Sequence, residues 1–154
     1  MANKYQVESQ TEIPASPEAV FPYLADLARF MDWNPFPKMD PSTRSTLSDN
    51  TAEIGATLSW DGKRIGQGEM RLTELVPGAS ASYAMSFGKP GKAEQATSVL
   101  SVMPSDDDGS LVAWHLSGER KFVSALMVKL IGLDKMMAKN FQEGFEQLRA
   151  VLGK

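Results

Sequence analysis

The chain of 154 residues contains no cysteine, which removes disulfides, thiol nucleophiles and cysteine-held metals in one step. That absence fits a reducing compartment. There is a single histidine, His115, so any Ser-His-Asp arrangement has to use it, and metal ligation falls to carboxylates alone. Basic stripes are missing too. Cationic clusters such as Arg120-Lys121 are only two residues long, and the net charge is -3. Both observations argue against a nucleic-acid binder. No apolar run is long enough to span a bilayer: the greasiest, FVSALMVKLIGL from Phe122 to Leu133, is short and carries Lys129. The first residues, MANKYQVESQ, lack the apolar segment of a secretory signal. The expectation is a cytoplasmic protein without stable membrane insertion. No repeat or low-complexity linker divides the chain, so residues 1–154 read as one domain.

What is present is a clear alternation of patterns. Tyr5, Val7, Ser9, Thr11 and Ile13 share one side of a strand, and Lys4, Gln6, Glu8, Gln10 and Glu12 the other. Ser16 and Pro17 then open a helix with Val20, Phe21, Leu24 and Leu27 as its stripe. Pro22 inside that stripe predicts a kink or a split into two short pieces. A series of about six strand-like segments follows, punctuated by Asp61-Gly62, Pro77-Gly78 and SDDDG at Ser105–Gly109. The last element is a long amphipathic helix, read from Leu126, Leu130, Leu133, Met137, Phe141, Phe145, Leu148 and Leu152. This order predicts an α+β layout, an antiparallel sheet with helices on one face.

Apolar weight assigns the inner face of each strand. Leu58 and Trp60 share a parity, as do Met70 and Leu72, then Tyr83, Met85 and Phe87, then Val112, Trp114 and Leu116. The opposite parities are polar, and one bulge would flip any assignment. The inner set is large, aromatic and rich in methionine. It suits either a filled core or the wall of a cavity. One segment sharpens the question. RFMDWNPFPKMD, Arg29 to Asp40, reads as a loop because of its two prolines, yet it carries Phe30, Trp33 and Phe36.

In this order the sequence resembles the START/Bet v 1-like (SRPBCC) superfamily, and within it the bacterial polyketide cyclase/dehydrase and lipid-transport-like family. The resemblance is carried by IPASPEAVFPYLAD (Ile13–Asp26), DWNPF (Asp32–Phe36), MRLTELVPGASASYAM (Met70–Met85), GSLVAWHLSGE (Gly109–Glu119) and NFQEGFEQLRAVLGK at the C-terminus. It implies a helix-grip fold: a curved antiparallel sheet gripping a long C-terminal helix, with two short helices after the first strand. It also implies a deep pocket between sheet and helix, lined by Phe30, Trp33, Leu58, Trp60, Met70, Leu72, Tyr83, Met85, Phe87, Trp114, Leu116, Leu130 and Met137. A greasy loop is then a pocket wall. The implied partner is a hydrophobic small molecule or lipid, bound without a cofactor or a metal by a monomer or homodimer.

Chemistry is sparse beside this. His115 falls on the outer face by parity, and no G-x-S-x-G elbow is present. SDDDG lacks the spaced oxygens of a calcium loop and reads as a turn. Gly66-Gln67-Gly68 has no helix after it, so it reads as a bend in a strand rather than a phosphate loop. Glu94, on the side of Leu100 and Val102, and Tyr83 are the candidates for moving a proton or orienting a ligand. Asp32 beside Trp33 is a candidate for the pocket mouth. Three readings stand: a binding or carrier protein, a metal-free aromatic cyclase or dehydratase whose pocket folds a reactive chain, and a protein-interaction module.

Overall fold

A computed structural model gives the fold and describes residues 2–88, 94–121 and 133–153. The elements are β1 (Ala2–Ile13), α1 (Pro17–Ala25), α2 (Leu27–Phe30), α3 (Phe36–Met39), β2 (Arg44–Leu47), β3 (Thr57–Gly62), β4 (Gly66–Val76), β5 (Ser80–Phe87), β6 (Glu94–Pro104), β7 (Ser110–Lys121) and α4 (Leu133–Leu152). The strands form a single seven-stranded sheet in the order β1-β7-β6-β5-β4-β3-β2. Every neighbouring pair is antiparallel. The α+β helix-grip layout is therefore present, with β2 and β1 as the two edges.

The alternation in β1 does what its pattern predicts: Val7, Ser9, Thr11 and Ile13 are buried, while Gln6, Glu8, Gln10 and Glu12 are exposed. Ser16 caps α1 by accepting from the Ala19 N–H at 3.2 Å, with Pro17 at the first helical position. Pro22 lies inside α1 and does not split it. A single proline removes one donor, and the buried stripe of Val20 and Leu24 holds the helix through it. The break falls instead at Asp26, which caps α2. Its Oδ1 accepts from the Ala28 N–H at 3.0 Å and from the Thr51 hydroxyl at 2.7 Å. The Leu27 N–H donates to the Thr51 carbonyl at 2.8 Å, so the short helices are tied to the chain before β3.

Two expectations need correction. The segment after Trp33 is not all loop: Phe36–Met39 is a helical turn entered at Pro35, where proline costs nothing because the first N–H groups of a helix have no partner. The Asp61-Gly62 pair is not a turn. It stays in β3, paired with Gln67 and Gly66, and the hairpin turns at residues 63–65. The cause is Asp40. Its Oδ2 accepts from the Arg64 N–H at 2.7 Å and the Ile65 N–H at 3.1 Å, so a side chain from outside the hairpin fixes where it turns. Pro77-Gly78 does turn, with Gly78 at φ 73°. The register shifts between Leu72 and Glu74, and this passes the inward role from Leu72 to Leu75.

The C-terminal helix lies across the inner face beside β1. Gln142 Nε2 donates to Ser9 Oγ at 2.7 Å, and Arg149 Nε to the Glu12 carbonyl at 3.2 Å. Phe141, Phe145 and Leu148 turn to the sheet and are buried. Within the described residues, no helix is long and apolar enough to cross a membrane.

Candidate functional site

The register places the candidate residues in three rows across the inner face. Trp60, Gly68, Phe87 and Glu94 stand opposite one another in β3 to β6. Leu58, Met70, Met85, Ala96 and Gly118 make the next row, and Leu72, Tyr83, Ser98, Leu116 and Val7 the third. Adjacent side chains in such rows touch, so the rows make a continuous apolar surface. Leu58, Met70, Leu72 and Tyr83 are fully covered, and Trp60, Met85 and Leu116 nearly so.

The Trp33 end of this face is closed by aromatic rings. Trp33 meets Phe30 edge-on at 5.0 Å and Trp114 at 5.4 Å, and stacks on Phe145 at 6.2 Å. Trp114 stacks on Phe141 at 4.1 Å, with the rings 11° from parallel. Both indole N–H groups are satisfied: Trp33 donates to the Tyr23 carbonyl at 2.9 Å and Trp114 to Ser98 Oγ at 2.8 Å. Gly144 lets α4 come down onto this layer, since a Cβ there would already press on Pro35 and touch the Trp33 ring. The Trp60 end is built differently. Trp60 leans on Phe36 at 5.5 Å and Phe87 at 6.1 Å, and its indole lies over Gly68, where a Cβ would overlap the ring. The described part of α4 runs along β1 and contributes no ring to this second cluster.

Polar groups are few. Tyr83 is buried, and its hydroxyl donates to the Leu24 carbonyl at the end of α1. Burial first, then the negative charge of Asp26, pushes its pKa above the ordinary tyrosine value, so the hydroxyl stays protonated. Glu94 begins β6 opposite Phe87, in the Trp60 row; its side chain lies outside the described set. The same is true of Met137, whose backbone is in α4, while Leu130 lies outside the described residues altogether. Asp32 is exposed. His115 is on the outer face, opposite Glu8 and Val99. Among the described residues no three histidines or carboxylates gather as a metal site. An open groove of about 480 Å³ lies over Thr46, Ser59, Glu69 and Ser86 on the outer side and reaches Trp60 and Gly68 at its edge.

Two residues escape the sequence reading. Asp40 is buried at 2% exposure and accepts four hydrogen bonds: from the Ser42 N–H and hydroxyl on Oδ1, and from Arg64 and Ile65 on Oδ2. The Ser42 hydroxyl, then the backbone donors, hold its carboxyl far below the usual range against the opposing effect of burial. Its signal was Asp-Pro-Ser, a turn-forming sequence; its long-range partners left no trace. Asn140 on α4 is 7% exposed, and its Nδ2 has no hydrogen-bond partner among the described residues. An unpaired buried donor costs about 1–3 kcal/mol, so it calls for a reason.

The sequence pattern of the polyketide cyclase/dehydrase and lipid transport family matches residues 4–153. No curated protein matches the chain. Solved structures do. A point mutant of norcoclaurine synthase from Thalictrum flavum, in complex with a transition-state analogue, superposes with a TM-score of 0.75 at 9% identity, covering 99% of this chain and 96% of that one. A protein from Chromobacterium violaceum gives 0.67 at 17% identity, covering 97% of both chains. One from Mycobacterium smegmatis gives 0.65 at 19%, covering 96% and 90%. At such identities these likenesses establish the fold alone. The match from residue 4 to residue 153, on a seven-stranded sheet with its C-terminal helix, places the chain in the polyketide cyclase/dehydrase and lipid transport family, with a Bet v 1-like fold.

Proposed function

We propose that the protein binds a hydrophobic or aromatic small molecule or lipid between its sheet and its C-terminal helix, for transport or sequestration. The observation that carries this reading is the row structure of the inner face. Trp60, Phe87, Leu58, Met70, Met85 and Leu116 form one apolar wall, and the Trp33–Trp114–Phe141 stack forms its floor. Leu72 and Tyr83 join the floor at the α1 side, with Phe30 behind Trp33. Leu130 and Met137 enter this reading from their helical spacing in the sequence alone. Aromatic rings and methionines suit a guest of irregular shape. Family membership supports the same class of ligand.

Native mass spectrometry of freshly purified protein, followed by solvent extraction, tests this. A co-purifying lipid or aromatic compound is the expected result. A bare protein that also takes up none of a panel of apolar probes overturns it.

One register position favours a second reading. Glu94 shares the register row of Trp60 and Phe87, which puts this residue at the rim of the proposed wall. Such a group suits a cyclase or dehydratase that moves one proton in a shaped pocket. Under that reading Glu94→Gln abolishes turnover and leaves ligand affinity unchanged.

A further inference from the structure

Asn140 occupies a position that neither helix propensity nor packing explains. Asparagine is a poor helix former, yet Asn140 sits inside α4, almost fully buried, with a donor that has no partner among the described residues. Its place on the helix is informative. Gly144, one turn later on the same face, packs against Pro35 and Trp33, and Gln147, two turns later, donates to the Trp33 carbonyl at 3.3 Å. That face therefore looks onto residues 33–35, and Asn140 extends it one turn further toward the N-terminus of α4. The Pro35 and Trp33 side chains that this face packs against offer no acceptor.

We propose that Asn140 is the polar recognition point of the binding site: its Nδ2 donates to an acceptor oxygen, a carbonyl or carboxylate, on an otherwise apolar ligand. This rests on the binding reading above and narrows it. The site then discriminates between an oxygen-bearing guest and its hydrocarbon counterpart. The discrimination comes from one buried donor, and buried donors are the groups that select most strongly.

The test uses two probes of matched shape, 2-acetylnaphthalene and 2-isopropenylnaphthalene, with the full-length protein and Asn140→Leu. Titrations followed by calorimetry are expected to show the variant losing about tenfold in affinity for the ketone while keeping or improving its affinity for the hydrocarbon. The variant is also expected to melt no lower than the parent, because it removes an unpaired buried group. In the parent protein the infrared carbonyl stretch of the bound ketone moves to lower frequency, which checks the hydrogen bond without any substitution. Equal changes for both probes, or an unshifted carbonyl band, overturn the assignment and leave the binding reading standing. Loss of folding in both Asn140→Leu and Asn140→Ala overturns it by making the amide a structural support. If neither probe binds the parent protein, the Asn140 assignment falls, while the binding reading is decided by the co-purified ligand and the probe panel.

Discussion

The carboxylate of Asp40 fills the space where a side chain on Gly62 would begin: a Cβ there would overlap Oδ2 and crowd Thr43 Oγ1. The hairpin of β3 and β4 is thus shaped by a residue outside it. Gly62→Ala is expected to destabilise the protein by about 1–3 kcal/mol through overpacking. In an Asp40→Ala background the same substitution should cost much less, because the obstructing group is gone. Chemical denaturation of the four proteins in the cycle checks this. Equal costs in both backgrounds would separate the two residues.

The same carboxylate gives an acid dependence. Hydrogen bonds from Ser42, Arg64 and Ile65 lower its folded pKa below the unfolded value. The unfolded chain therefore binds the proton more readily, and the contribution is complete above about pH 4 and fades as pH falls below it. Asp40→Asn should flatten the fall of the urea midpoint in that acid window. Parent and variant curves that stay parallel there would show that Asp40 does not titrate with unfolding.

The two ends of the inner face should respond differently to substitution. Trp33 is fully buried among Phe30, Trp114 and Phe145, so Trp33→Ala is expected to cost about 3–5 kcal/mol. Trp60→Phe keeps most of the volume, and its stability cost should stay under about 1.5 kcal/mol. Affinity for an apolar probe should nevertheless fall. A Trp60→Phe protein that binds as well as the parent would remove Trp60 from the wall.

Gly68→Ala tests the same wall from the opposite strand. An added methyl displaces the Trp60 indole, so both the tryptophan emission and probe affinity should change. Unaltered emission would mean that the ring does not rest there.

Tyr83→Phe removes the donor to the Leu24 carbonyl and should cost about 1–3 kcal/mol by leaving a buried acceptor unpaired. Burial, with Asp26, raises the folded pKa of Tyr83, so its contribution is complete below about pH 10 and is lost as pH rises beyond that. The parent should lose stability in that alkaline range faster than Tyr83→Phe. Matching profiles would show that the hydroxyl is free to ionise in the fold.

Much of the fold was legible because period-two patterns report burial directly. Val7, Leu58, Met70, Met85 and Trp114 all lie on the inward side that their alternation indicates. The turn at Pro77-Gly78 was equally plain, because glycine at positive φ is a local requirement. Asp40 was not legible. Its role depends on Arg64 and Ile65, more than twenty residues away, and no local pattern records that pairing. The position of the hairpin turn was missed for the same reason. The candidate site was legible as a set of residue types but not as rows, since register across four strands depends on turn lengths and on the bulge at Leu72/Glu74. Asn140 carries no local sequence signal; burial without a partner among the described residues is what distinguishes it.

The three tryptophans divide into two optical classes. Trp33 and Trp114 have their ring centroids 5.4 Å apart at a steep angle, close enough for their transitions to couple, whereas Trp60 sits with Phe36 and Phe87 in the other cluster. The coupled pair should give a signed doublet in the circular dichroism of the folded chain, and Trp60 should emit as an isolated chromophore. The protein thus carries two built-in reporters, the dichroic doublet for the integrity of the Trp33–Trp114 layer and the Trp60 emission for the proposed wall, and following both through a titration tells unfolding from occupancy.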